Sequence, residues 1–316
     1  MKSRFCGRRC FNKNMKSPLV SVIIPTYKRD VKMLSRALFS VFNQTYQNVE
    51  AVVVDDNAGD DLKGFRKNNR VFFDTLDETY KKHLKVVLNK TNLGGALGRN
   101  EGIKNASGDY ITFLDDDDLF LPSKIEHQIS YMTINGLNCS FTDLSIYDEN
   151  DRLIERRNRS DLKDFSFNSL IKYHLTKGIT STETFMMSKD LLNSIGGFDD
   201  KKMGQEFYLM YKVLHYDNLK IGYFPSDDIK AYRTKQEAIS NGPNKIPGEK
   251  ELYKFRKSNF SYLNRAERRY VRCRHRAVLA FAYSRRKRYI ASIWYLAFAF
   301  ITDPILSISE ARKRKK

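Results

Sequence analysis

Residues 109–118 read DYITFLDDDD, an apolar run followed by four consecutive aspartates. The run is written as the end of a β-strand, with Thr112, Phe113 and Leu114 leading directly into the carboxylates. The chain holds 56 Lys+Arg against 37 Asp+Glu, so its densest negative charge at the end of an apolar strand needs a reason. One reason is a solvated acidic turn, because Asp is common where strands end and its side chain caps the next segment. The other is a cation site: hard divalent ions take oxygen ligands, and Mg²⁺ or Mn²⁺ is often held by one or two carboxylates together with substrate phosphates. The stretch taken alone leaves both open.

Working outward, VSVIIPT (20–26) is β-branched, stops at a proline and reads as a buried strand. Leu34, Ala37, Leu38, Val41 and Phe42 follow at helical spacing, and VEAVVVDD (49–56) is a second buried strand. KVVLN (85–89) and a helix over 95–106 continue the pattern up to the acidic run. Apolar strands alternating with helices predict a parallel α/β sheet. Both VVVDD and TFLDDDD end a strand in carboxylates, and open α/β sheets bind ligands beyond the carboxyl ends of their strands. Two acidic clusters are therefore expected on one edge. Past residue 120 the spacing predicts a helix near 122–134, a strand near 138–147, a polar stretch to 160, a strand over ITSTETFMMS (179–188) and a helix over QEFYLMYKVLHY (205–216).

At 316 residues and 41% hydrophobic content the chain can bury a substantial core. Its net charge of +19 is uneven: residues 251–316 hold 18 Lys+Arg and 4 Asp+Glu, or +14, leaving +5 for residues 1–250. Cys6, Cys10, Cys139 and Cys273 are too few and too scattered for a disulfide framework, and Cys6 with Cys10 lacks the second ligand pair of a zinc site. A reducing compartment fits. The first 18 residues are basic without the apolar run of a secretory signal, and Met15 is an alternative start just before the first strand.

In this order and spacing, VSVIIPTY, VVVDD, NLGGALGRNEGIKNASGDYITFLDDDD, GGFDD and GQEFYLMYKVL resemble the family 2 inverting glycosyltransferases of GT-A fold, especially bacterial enzymes that build surface polysaccharides. The resemblance covers roughly residues 19–240. It implies a GT-A catalytic domain over 19–250, with a Rossmann-like, mostly parallel sheet flanked by helices. A basic, disordered N-terminal extension (1–18) would precede it, and a basic amphipathic helical tail (251–316) would follow.

The resemblance also implies a nucleotide-sugar donor, with UDP as the expected nucleotide. Tyr27 would stack on the base, Thr26 and Asp56 would bond its edge, and Asp115 or Asp116 would accept from ribose hydroxyls. Asp117, matching the last carboxylate of the DXD motif, would hold Mn²⁺ or Mg²⁺, which decides the opening alternative for the cation. Asp118 is expected to cap the following segment, and Arg99 to lie by the donor. The glycines of NLGGALGRN are spaced G-G-x-x-G, which is not a dinucleotide fingerprint.

An inverting transfer needs one general base for the acceptor hydroxyl. The family's usual Glu-Asp pair is here Gln205 and Glu206, which makes Glu206 the base; a carboxylate at a helix N-terminus is also favoured by the macrodipole, and both can hold. Where many relatives carry a His that helps bind the cation or phosphates, this chain has Thr234. His215 falls on a helical face, as a structural histidine would.

In the tail, YIASIWYLAFAFI (289–301) is an apolar run of 13 residues before Asp303 and Pro304, short of the roughly 20 a spanning helix needs. Aromatics with flanking cations suit a helix lying in an anionic leaflet. A helix packed on the catalytic domain and a nucleic-acid patch are the alternatives. The expectation is a cytoplasmic enzyme, peripheral on the inner face of the plasma membrane. It would act on a glycan or lipid-linked saccharide in capsule, exopolysaccharide or related synthesis, without a nucleic-acid partner. A nucleotidyltransferase of similar topology would show a glycine- and lysine-rich loop where this chain has PTYKRD. A basic nucleic-acid-binding protein would leave the acidic strand ends without a role.

Overall fold

The apolar runs of the first half become parallel strands in a computed structural model that describes residues 17–233 and 242–315, with side chains through Arg312. Thr234, Cys6, Cys10, Met15 and nearly all of the N-terminal extension lie outside the described residues. The elements in chain order are β1 (Val20–Thr26), α1 (Val31–Phe42), β2 (Val49–Asp55), α2 (Lys63–Asp74), α3 (Glu78–Lys81), β3 (Leu84–Leu88), α4 (Gly94–Asn105) and β4 (Tyr110–Phe113). Then come β5 (Leu119–Phe120), α5 (Lys124–Ile134), β6 (Cys139–Thr142), β7 (Leu144–Tyr147), β8 (Leu153–Arg157), α6 (Phe167–Thr176), β9 (Phe185–Ser188), α7 (Lys189–Ser194) and α8 (Gln205–Leu214). The chain continues through β10 (Ile221–Phe224), β11 (Ile229–Tyr232), α9 (Lys245–Ser258), α10 (Arg265–Arg285), α11 (Tyr289–Thr302) and α12 (Pro304–Lys315).

Seven strands form the main sheet in the order β10-β6-β9-β4-β1-β2-β3, mostly parallel, with β9 antiparallel to both neighbours. Helices cover both faces, so the central strands are apolar on both sides and alternate between two cores. Ile23, Val52, Val54 and Phe113 point to one core, shared with α6 and α8, whereas Val22, Ile24, Ala51 and Val53 point to the other, shared with α1 and α5. This is the mostly parallel, helix-flanked α/β class that the sequence predicts.

Helix α4 approaches β1 unusually closely: a Cβ on Gly102 would lie 2.4 Å from Ile23 Cγ2. The glycine of the EGIK run is therefore a packing requirement, and it fixes α4 against the central strand.

Two expectations change in the second half. The strand near 138–147 breaks at Asp143 into β6, in the main sheet, and β7, in a separate sheet of order β5-β11-β7-β8. The apolar positions of CSFTDLSIY slip by one residue there, from Cys139 and Phe141 to Leu144 and Ile146, which is the trace this bend leaves in the sequence. The strand over 179–188 is strand only from Phe185; Thr182–Thr184 form a single 3₁₀ turn that follows Ser181 at φ +91°. Side chains hold the junction of turn and strand, Gln128 Nε2 donating to Thr184 O and Thr112 Oγ1 to Phe185 O.

The basic C-terminal region is helical. Helix α9 runs through residue 251, and α10 starts at a capping box between Asn264 and Glu267 and adds Val271 to the main core. A tight turn with Lys287 at φ +59° folds α11 back along α10. Among the described residues no helix is long and apolar enough to cross a membrane.

Candidate active site

Strands β4, β1 and β2 are neighbours and parallel, so their carboxyl ends open on one edge, with Thr26 in register with Asp55. Asp55 is buried and accepts from Asn57 N at 2.9 Å and Asn69 Nδ2 at 2.9 Å, which ties β2 to the chain that follows it. Asp56 reaches the other way. Its carboxylate accepts from Asn89 Nδ2 at 2.8 Å, Leu93 N at 2.9 Å and Gly94 N at 2.8 Å, so it holds the turn that starts α4. Gly94, at φ +77°, supplies the left-handed step this turn requires.

The four aspartates after β4 point into different surroundings. Asp116 is buried beside Arg29, whose Nε donates to it at 2.8 Å. Burial pushes its carboxyl up to about 6, against the pull of Arg29. Asp117 is more open and pairs with Arg29 Nη2 at 2.9 Å. Asp118 is buried and accepts from Tyr232 N at 2.8 Å, joining the turn to the small sheet. Tyr27 stands at the rim with 44% of its surface exposed, an accessible flat ring at the end of β1.

Asp115 faces Arg99 of α4. One terminal nitrogen of Arg99 donates to the Asp115 carboxylate; the other donates to Gln205 Oε1 at 3.0 Å and Gly95 O at 3.1 Å. The remaining Nε–H is buried without a partner among the described residues. Burial works against the Arg99 charge, but Asp115, Glu183 and Glu206 outweigh it and hold the guanidinium firmly protonated. Gly95 keeps this meeting point clear, since a Cβ there would come within 3.1 Å of Arg99 Nη1.

Gln205 and Glu206 open helix α8 immediately after Gly204, which is left-handed at φ +70°. Glu206 is half-buried. Burial raises its carboxyl pKa, and Asp115 adds to the rise while Arg99 and Arg157 oppose it. A carboxylate so placed is a stronger base than one in water.

Glu183, in the 3₁₀ turn before β9, was not singled out from sequence. It is buried, and one ligand atom each from Asp115, Asp118 and Glu183 lie within 4.8 Å of one another. Burial and the neighbouring acids raise both Glu183 and Asp118. The available signal was a lone carboxylate in an otherwise uncharged run, ITSTETFMMS, because a buried acid needs a partner. His215 lies at the end of α8, with Nδ1 2.8 Å from Tyr211 O and its ring against Phe167 and Tyr262, outside this acidic edge.

The sequence signature of glycosyl transferase family 2 matches residues 21–196, more than half of the chain, and takes in β1, both acidic strand ends, Arg99 and Glu183. The chain belongs to glycosyl transferase family 2. Within the family it is 31% identical over 227 residues to an Escherichia coli protein, the UDP-Glc:alpha-D-GlcNAc-diphosphoundecaprenol beta-1,3-glucosyltransferase WfgD, an alignment covering 71% of this chain and 80% of that one. It is 37% identical over 135 residues to an uncharacterized glycosyltransferase of Haemophilus influenzae, covering 41% of this chain and 50% of the relative. The chain thus spans half of the Haemophilus protein, and 63% of an uncharacterized Methanocaldococcus jannaschii glycosyltransferase to which it is 28% identical. Among solved structures, Staphylococcus aureus TarS 1-349 in complex with UDP-GlcNAc superposes with a TM-score of 0.56 at 18% identity, covering 87% of this chain and 89% of TarS 1-349. The likeness places this family 2 chain in the GT-A fold.

Proposed function

We propose that the chain transfers a sugar from a nucleoside diphosphate donor, with UDP as the nucleotide, to a hydroxyl of a glycan or lipid-linked saccharide, inverting the anomeric centre, in the synthesis of cell-surface polysaccharide. The observation that carries this reading is the Arg99 bridge. One guanidinium binds Asp115 at the end of β4 and Gln205 at the head of α8, next to Glu206. A donor on the strand edge and an acceptor against α8 would thereby meet across a single cation. The name of the Escherichia coli relative, which couples UDP-Glc to a diphosphoundecaprenol-linked acceptor, supports the same donor and acceptor classes. Such an acceptor puts the work at the cytoplasmic face of the membrane.

On this reading Tyr27 stacks on the base, and Thr26 and Asp56 stand at its edge, Asp56 also fixing the Leu93–Gly94 turn. Asp115 or Asp116 accepts from the ribose. The donor set fits a hard divalent cation, because acids packed this closely favour protonation unless positive charge is supplied. Asp117 and Asp115 are the more open carboxylates and would hold Mn²⁺ or Mg²⁺ together with a diphosphate; Asp115 also belongs to a close group with the buried Asp118 and Glu183. Bound there, the cation would neutralise charge on the departing diphosphate.

Glu206 takes the proton of the acceptor hydroxyl as its oxygen attacks the anomeric carbon. The bond from that carbon to the diphosphate breaks on the opposite face, and the electron pair leaves with the nucleotide. The field of Arg99 falls where negative charge grows.

The test is to incubate the full chain with Mn²⁺ and a panel of nucleotide sugars, with lipid-linked saccharides as acceptors, and to follow nucleoside diphosphate release and product anomeric configuration. UDP release with an inverted product is expected. Retention of configuration would overturn the role of Glu206, and nucleotide transfer in place of sugar transfer would overturn the reading.

A further inference from the structure

Helix α11 is apolar on both faces: Ala299 and Tyr295 pack toward α10, and the opposite face is apolar as well. The residues it turns toward α10 include its hydroxyls: Ser292 Oγ donates to Ala280 O at 2.8 Å, and Thr302 receives the guanidinium of Arg276. Its opposite stripe, at spacings of three and four, is apolar and open, with Ile290 88%, Ile293 67%, Trp294 55% and Ile301 74% exposed. No charged residue occurs between Tyr289 and Thr302. A helix packed only to complete the core would not leave four large apolar side chains in solvent.

The surrounding charge identifies what covers the stripe. Arg285, Arg286, Lys287 and Arg288 immediately precede α11 and are all exposed. The two acids after residue 288 are turned away from this cationic surface, Asp303 toward Arg269 at 3.3 Å and Glu310 into the interior. A second copy docked here would bring like charge to like charge. An anionic lipid surface meets both the cations and the apolar stripe. At 14 residues, or about 21 Å, α11 is too short to span the roughly 30 Å hydrocarbon layer and has the length and polarity of a helix lying in the interface.

We propose that α11 seats in the headgroup region of an anionic bilayer, with Ile290, Ile293, Trp294 and Ile301 in the lipid and the 285–288 cations on the phosphates. The inference does not depend on the transfer reading.

Trp294 is the chain's single tryptophan, so its emission reports on this face alone. The full chain is mixed with phosphatidylglycerol vesicles or with phosphatidylcholine vesicles. With phosphatidylglycerol, Trp294 emission should shift to the blue and be quenched by lipids brominated near the headgroup, and salt should weaken the effect. Phosphatidylcholine alone should bind much less. Ile290→Ser with Ile293→Ser should lower partitioning about tenfold or more, while UDP release in solution is unchanged. An emission unmoved by phosphatidylglycerol would overturn the proposal. So would an emission already blue-shifted before lipid is added, together with concentration-dependent dimers, because a second copy would then cover the face. The wild-type emission decides the matter even if the double variant fails to fold.

Discussion

Asp115 and Gln205, one at the end of a strand and the other at the head of a helix far along the chain, are held by the same guanidinium, that of Arg99. Replacing Arg99 with Lys keeps the charge but cannot make both bonds. With about 1.5–3 kcal/mol for a hydrogen bond to a charged group, kcat/KM for UDP release should fall about 10- to 10²-fold. Steady-state kinetics on a variant whose circular dichroism matches the wild type checks this; unchanged kcat/KM would remove the bridge from the mechanism.

Glu206→Gln should lower turnover by about 10² to 10⁴, the usual worth of a positioned general base. UDP affinity, read by calorimetric titration, should stay within a few fold, because the base acts on the acceptor proton. A variant that loses UDP affinity but turns over normally at saturating donor would assign Glu206 to the donor instead.

Asp117→Asn should cost most of the activity and weaken Mn²⁺ binding measured by paramagnetic resonance, since an amide is a poor ligand for a hard cation. Glu183→Gln removes only the deeper acid and should disturb Mn²⁺ affinity less. The reverse order would move the ion to the group formed by Asp115, Asp118 and Glu183. Excess chelator should stop the wild type.

His174 gives the fold an acid sensitivity of its own. It is buried, its Nε2 lies 3.0 Å from Phe207 O, and its Nδ1 accepts from Ile179 N at 3.2 Å, so only the neutral ring satisfies both neighbours. Burial is the main cause that lowers its pKa from 6.5 to about 3. Below pH 6.5 the unfolded chain therefore binds a proton that the folded chain refuses, and stability falls with pH until about 3. Between pH 7 and 5 the loss is about 2 kcal/mol. Urea unfolding of His174→Asn should give a lower stability at pH 7 but a flatter profile over that range. Parallel profiles would refute the assignment.

Gly102→Ala would gain about 1 kcal/mol of helix propensity but force a methyl against Ile23, and overpacking costs typically 1–3 kcal/mol. A net drop in Tm is expected. Gly64→Ala, on an exposed turn of α2 with nothing within 4 Å of the new methyl, should raise Tm instead. Both variants rising together would mean that α4 yields.

The central sheet was legible because each buried strand announces itself as an apolar run, and the shared edge of Asp55, Asp56 and Asp115–Asp118 followed from parallel order alone. What pattern could not show was partnership. The four aspartates look equivalent as letters, yet one meets Arg99, two meet Arg29 and one is tied to Tyr232. Glu183 was hidden because β9 runs antiparallel and delivers its preceding turn to the acidic edge, a placement set by pairing and not by spacing. The bend at Asp143 does leave a trace, because the apolar positions shift by one residue, from Cys139 and Phe141 to Leu144 and Ile146, where the chain changes sheet.

The antiparallel insertion of β9 also sets an order of assembly during synthesis. Strands β1 to β4 can associate once residue 113 has emerged, but the second edge of β4 waits for residue 185 before it has a partner. At about 5–20 residues per second the ribosome leaves that edge uncovered for several seconds. Through that interval the nascent half-sheet ends in aspartates while Glu183 and the α8 carboxylate are still being made. The open edge of β4 itself, YITF, is uncharged, and Asp115–Asp118 put negative charge just beyond its end, which discourages pairing with other chains there.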